Sequence, residues 1–191
     1  MLIGIPKEIR AGQTLVAATP NTVQKLIALG YTVSVEQGAG ELANYFDQQF
    51  EEAGASLAST AEAWAADIVV CLDAPSLEQL ALMKEGATLL SRLDPQNNAE
   101  LLEACAKRKI TALALDAQSL DVRSSLMNVA GYRAVIEAAN AFGRQFTGAV
   151  TAAGRVNPAK VYVIGVGVAG LAAIGTAGSM GAEVFATDVR S

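Results

Sequence analysis

The sequence predicts an α/β chain: a first domain built on a parallel sheet, a long linking helix, and then the opening strand, helix and strand of a second α/β domain. Three observations predict it. Short apolar strands alternate with amphipathic helices from Met1 to about Asp116, a pattern that gives a parallel sheet with helices on both faces. One long helical stretch follows without strand signals, and the chain closes on a strand, a glycine-rich turn, an alanine-rich helix and a further strand.

The elements follow in order. "MLIGIP" is an apolar strand closed by Pro6, and "TPNTVQKLIALG" sets Val23, Leu26, Ile27 and Leu29 at helical spacing. Thr19 is the expected cap of that helix, Pro20 suits its first position, and Gly30 stops it. "YTVSVEQ" alternates as a strand. After it come a helix around Gln48–Ala53, strand "DIVVCLDA", helix "SLEQLALM", strand "ATLLSRL", helix "NAELLEACAKRK" and strand "ITALALD". Residues 119–146 read as one long helix joining two domains, and "TGAVTAAGRVNP" reads as a linker rich in Gly, Thr and Ala. The domains expected from this are 1–147, including the linking helix, and 148–191, with the second α/β unit starting at Lys160.

Composition narrows the function. The net charge is −5, from 14 Lys and Arg against 19 Asp and Glu, without a long basic run, so nucleic acid is not an expected partner. No apolar run reaches the ~18 residues of a bilayer span, and the first residues form a strand, not a signal peptide. Any association with a membrane is therefore expected to pass through another chain. Cys71 and Cys105 lie in apolar surroundings and read as reduced core thiols of a cytosolic protein. There is no histidine, which excludes His-based triads and His-containing zinc sites; no metal is expected.

The closing segment "VYVIGVGVAGLAAIGTAGSMGAEVFATDVRS" carries the chemistry. Gly165, Gly167 and Gly170 have the G-x-G-x-x-G spacing: one glycine for the tight turn, one for close approach of backbone to a diphosphate, one for helix–strand packing. Val168 and Ala169 open the helix, whose free N–H groups and dipole favour phosphate. The spacing alone is weak in so alanine- and glycine-rich a chain; the strand before, the helix after and Asp188 at the next strand's end strengthen it. This is the Rossmann pattern. A carboxylate at Asp188, 18 residues past Gly170, suits a ribose 2′-OH and repels a 2′-phosphate, so NAD(H) is favoured over NADP(H). Val189 and Arg190 flank it; Arg190 is open to two roles, a solvated charge or a phosphate contact.

Taken together, "GIPKEI", "VAATP", "VEQGAG", "SLDVRSSLMNVAGYRAVIEAA", "TAAGRV" and "VIGVGVAGLAAI…ATDVR" resemble, from end to end, the NAD(H)-binding alpha component of proton-translocating nicotinamide nucleotide transhydrogenases. Alanine dehydrogenase belongs to the same superfamily. The resemblance implies hydride transfer from NADH held here to NADP⁺ held by a partner component, with NADP(H) on that partner and a membrane-spanning component coupling the reaction to proton movement. It further implies a cytoplasmic location, peripheral to the inner membrane through those partners; a homodimer, or pairing with a complementing polypeptide, is expected because an unfinished parallel sheet leaves an edge free to pair. Transfer between two nicotinamides moves a hydride without a proton, so the missing histidine costs nothing, whereas oxidising an amine needs a general base.

The resemblance assigns catalytic positions to Gln118 and Asp121, which match the end of a family loop of the form "PRISRAQS-D" near the bound nicotinamide. The loop's arginines are missing here, and capping the long helix is the other role open to both residues. A non-catalytic NAD-binding or assembly module is the alternative reading. An alanine-dehydrogenase-like enzyme is disfavoured, because the family's arginine, lysine and histidine appear here as Leu15, Cys71 and the neighbourhood of Leu93–Asp94. Only the first half of the second Rossmann domain is present, an apparent truncation whose free sheet edge could pair with another chain.

Overall fold

In the computed structural model, which describes residues 1–116 and 123–190, six strands pair in parallel near the N-terminus. They are β1 (Leu2–Ile5), β2 (Thr32–Glu36), β3 (Ser56–Ala58), β4 (Ile68–Val70), β5 (Thr88–Ser91) and β6 (Thr111–Ala114), in the spatial order β3-β2-β1-β4-β5-β6. This is the 3-2-1-4-5-6 order of doubly wound sheets, whose strand sequence reverses direction between β1 and β4. Helices α1 (Pro20–Ala28), α2 (Asp47–Glu52), α3 (Thr60–Trp64), α4 (Leu77–Leu82) and α5 (Ala99–Lys107) connect the strands.

Period-two alternation sorts the side chains into two cores, one on each face. Ile3, Ile5, Val33 and Val35 bury themselves with Val23 of α1 and Phe50 of α2. Val69 and Leu89 point the other way, to Trp64 of α3, Leu80 of α4 and Leu101 and Cys105 of α5. Gly4 belongs to this second face. A Cβ there would come within 2.0 Å of the Ala63 carbonyl oxygen and 2.8 Å of the Ala66 Cβ, so α3 lies directly on bare backbone.

Local signals set the helix starts. Thr19 Oγ1 accepts from the Thr22 N–H and caps α1. Ser59 with Glu62 and Ser76 with Gln79 form reciprocal capping boxes at α3 and α4. Strand β3 and helix α3 are additions to the pattern expected from sequence. A strand of three residues is too short to show alternation and a helix of five too short to show a face, although the Ser59-x-x-Glu62 box was readable.

The second compact unit begins at Val122. It contains α6 (Arg123–Phe142), β7 (Ala149–Thr151), β8 (Gly154–Val156), β9 (Lys160–Ile164), α7 (Val168–Ser179) and β10 (Glu183–Thr187). The sequence places the division near Gly148, whereas the compact units divide after Asp121. The long helix belongs by packing to the C-terminal unit, because Val135 shares a buried cluster with Phe146, Ala159, Ala173 and Ala177. It also ends earlier than expected, where Gly143 turns to φ 67°. The supposed linker "TGAVTAAGRVNP" is instead an antiparallel hairpin of β7 and β8, with Val150 opposite Arg155. Its strands are three residues each and its residues mostly exposed, so no hydrophobic alternation announces it.

Replacing Gly4 by Ala should force α3 off the sheet. A loss of about 3 kcal/mol is expected from such overpacking against rigid backbone, read as a lower urea midpoint with the denaturant slope unchanged.

Candidate functional site

Strands β9 and β10 pair in parallel along their whole length, Lys160 opposite Glu183 through Ile164 opposite Thr187. Two segments therefore leave the sheet together at its C-terminal edge: the turn Gly165-Val166-Gly167 and the end piece Asp188-Val189-Arg190. Gly165 adopts φ 95°, a left-handed conformation that strains any L side chain. Gly167 is the N-cap of α7 and has no side-chain hydrogen bond to the helix. The first-turn amides of α7 are thus left without a side-chain acceptor, and the positive end of a 12-residue helix faces the turn.

Space around the turn is distributed unevenly. A Cβ on Gly167 would meet nothing within 4 Å, so the backbone there lies open. A Cβ on Gly170 would stand 1.9 Å from the Gly165 carbonyl oxygen, so helix and turn touch through that position. From the other side, a Cβ on Gly131 of α6 would come within 2.0 Å of the Ala169 carbonyl oxygen. Gly131, inside the stretch read as one long helix, lets α6 lie against the first turn of α7. A lone glycine inside a long helical pattern is the signal that could have found this close approach.

Asp188 closes the site. Its Oδ2 accepts from the Val166 N–H at 2.6 Å and from Arg190 Nη2 at 3.1 Å, while Oδ1 accepts from the Arg190 N–H and Nε, each at 2.9 Å. The Arg190 side chain first, then the Val166 and Arg190 backbone amides, hold the Asp188 carboxyl far below the usual carboxylate range. Arg190 is therefore an ion-pair partner and not a free solvated charge, although its side chain is 71% exposed against 15% for Asp188. Val166, a contact that sequence spacing does not single out, is what ties the carboxylate to the glycine turn. Val189 projects fully into solvent, and Val168 is half exposed at the helix start. Gln118 and Asp121 lie outside the described residues.

The first unit has its own cleft of about 620 Å³ at the ends of β1 and β4. Glu8 there accepts from the Leu72 and Asp73 N–H groups, and burial pushes its carboxyl up against the lowering effect of these bonds. Asp73 in turn accepts from Arg92 and from Gln13. Cys71 lines the same cleft, buried, and desolvation drives its thiol up to about 12. A neutral thiol cannot act as the cation that an amino-acid carboxylate would need, and the Arg92 guanidinium is already paired.

Comparison with known proteins agrees with this architecture. The sequence matches the alanine dehydrogenase/PNT N-terminal domain over residues 4–144 and the alanine dehydrogenase/PNT C-terminal domain over residues 134–191. The chain belongs to the alanine dehydrogenase/PNT family. Within the family it is 52% identical over its whole length to NAD(P) transhydrogenase subunit alpha of Haemophilus influenzae, of which it spans 38%. The crystal structure of transhydrogenase from Sinorhizobium meliloti superposes with a TM-score of 0.90 at 41% identity, covering all of this chain and 59% of that one. An L-alanine dehydrogenase structure superposes with a TM-score of 0.88 at 30% identity, covering all of this chain and 55% of that one. The two family models overlap over residues 134–144, which takes in the second half of α6.

Two outcomes test the site's geometry. Gly170→Ala should separate α7 from its turn and lower the melting temperature by several degrees or more, in line with about 2 kcal/mol of overpacking. Cys71 should resist a thiol reagent such as DTNB at pH 8 in the folded chain and react on unfolding. The sign follows from its raised value: the thiol contributes stability below its ordinary 9.0, and that contribution is lost as pH climbs toward about 12.

Proposed function

We propose that this chain is the NAD(H)-holding part of a proton-translocating nicotinamide nucleotide transhydrogenase, from which hydride passes to NADP⁺ held by a partner component. The observation that carries the reading is the open backbone at Gly167 directly before α7, with the Asp188 carboxylate fastened to the same turn through Val166. A dinucleotide fits these residues: the bare Gly167 position is room that a side chain would fill, and uncapped amides beside it suit a diphosphate.

The roles divide by chemistry. The amides of Val168, Ala169 and Gly170 receive the diphosphate, and Gly165 and Gly167 let backbone approach it. Asp188 receives the adenosine ribose hydroxyls, and its charge disfavours a 2′-phosphate. All four acceptor positions of this carboxylate are filled by Val166 and Arg190, so a ribose binds by displacing the guanidinium. Exposed ion pairs contribute little, so this displacement is easy. Val189 and Arg190 then border the adenosine.

When bound, the dihydronicotinamide supplies the hydride. The protein's task is to orient it and keep water away; with no proton to remove, a chain without histidine suffices. Gln118 and Asp121 are the proposed neighbours of the nicotinamide. NADP-binding and membrane-spanning components are the proposed partners, with a homodimer of this chain on the cytoplasmic side of the inner membrane. Among the described residues no helix is long and apolar enough to cross a membrane. A second reading, an NAD-binding or assembly module without transfer, is favoured by one observation: no arginine lies between Asp116 and Arg123 to play the part of the family's loop.

Titration of NADH by fluorescence, followed by addition of an NADP⁺ analogue and the complementary component, separates these readings. Binding with transfer supports the first, and binding without transfer the second. Failure of both oxidised and reduced nucleotide to bind removes both. Asp188→Ala should weaken NADH by about tenfold, the size of a lost charge-assisted contact. Because its carboxyl is held so low, Asp188 stays ionised and should leave NADH affinity level between about pH 5 and 8.

A further inference from the structure

Between Glu137 and Glu183 the chain has no acidic residue, and its only three cations in that stretch are Arg144, Arg155 and Lys160. All three line one cleft of about 600 Å³ in the second unit. The cleft runs between the end of α6, the β7–β8 hairpin and the start of β9, with Phe142, Gln145 and Asn157 also on its wall and no carboxylate among its lining residues. Among the described residues none of the three cations pairs with a carboxylate. Arg144 instead lies over the Phe142 ring, 4.6 Å from its centroid, which holds the guanidinium at the cleft's edge.

The surroundings strengthen the positive field. Residues 1–121 carry 8 Lys and Arg against 16 Asp and Glu, whereas residues 122–191 carry 6 against 3. An acidic protein therefore has a basic second unit, and three of its cations, Arg144, Arg155 and Lys160, converge on a single concavity. Such focusing raises the local concentration of anions. Two guanidiniums and an ammonium match the charge of a diphosphate, with forked donors for its oxygens from the arginines and a point charge from the lysine. The amides of Gln145 and Asn157 add neutral donors and acceptors, and the volume is that of a small-molecule pocket.

The geometry points to a second anion site here, one that takes the diphosphate group of a small phosphorylated molecule or of a lipid headgroup. It is separate from the glycine turn: Lys160 begins β9 and Gly165 follows its far end, about 16 Å away at the rise of a strand. The inference does not rest on the dinucleotide reading.

Calorimetric titration with inorganic pyrophosphate tests it on the whole chain. Binding is expected, weakened about tenfold by Arg155→Gln and again by Lys160→Gln, weakened further at about 0.5 M salt, and retained in Gly167→Val, which removes only the share taken by the glycine turn. Both cations are exposed, so the variants should keep the parent circular dichroism spectrum. Sedimentation with vesicles containing CDP-diacylglycerol, a lipid with a diphosphate headgroup, identifies the source: pelleting that depends on Arg155 assigns a lipid headgroup, and its absence with pyrophosphate still bound assigns a free phosphorylated molecule. The proposal is overturned if neither pyrophosphate nor vesicles bind, or if binding disappears in Gly167→Val and survives in the cation variants. It is equally overturned if Arg155→Gln merely dissociates a dimer while pyrophosphate gives no heat, since the cleft would then hold a carboxylate of a second copy.

Discussion

The first turn of α7 is gripped between the Gly165 carbonyl and the bare backbone of Gly131 in α6, and the rest of the second unit is arranged around that grip. Gly170 meets the Gly165 carbonyl on the strand side, and Gly131 of α6 meets the Ala169 carbonyl on the other. Neither contact tolerates a Cβ. Together they fix the direction of the helix relative to the strand that feeds it, which determines where the uncapped amides point. The buried alanines Ala173 and Ala177, packed with Val135 and Phe146, continue the same close fit along the helix. Small side chains thus exchange packing volume for positional accuracy at the one place where backbone atoms have to do the binding.

Asp188 links that helix start to the neighbouring strand. Its bond to the Val166 N–H couples the end of β10 to the turn after β9, so the acidic group and the amides cannot move apart independently. The Arg190 guanidinium covers the carboxylate from solvent without burying it. A site whose acid is pre-formed but covered by an exposed cation is positioned in advance and opened cheaply, since exposed pairs contribute only about 0–1 kcal/mol.

The first unit uses the same logic with different residues. Gly4 brings α3 onto the sheet, and Glu8 joins the end of β1 to the end of β4 by accepting two backbone amides. These are the two strands between which the sheet reverses direction, where neighbouring helices leave on opposite faces and a cleft must open. Ion pairs and a neutral thiol occupy that cleft, in contrast to the unpaired cations of the second unit. Two clefts of similar volume thus differ chemically because the acidic residues are concentrated in the first unit.

By itself the sequence determined the alternation of strands and helices, the caps at Thr19, the family, and the glycine spacing with its distant aspartate, because each is written in local periodicity or fixed spacing. The three-residue strand β3, the five-residue α3 and the β7–β8 hairpin escaped that reading, since too few residues carry their pattern. Only the tertiary structure decided that the long helix packs with the C-terminal unit, that Gly131 is its contact with α7, that Val166 and Arg190 hold Asp188, and that Arg144, Arg155 and Lys160 share a cleft. The physical reason is the same for each: these are meetings of residues far apart in the chain or on different elements, and they depend on which faces are buried, a property that no single stretch of sequence contains.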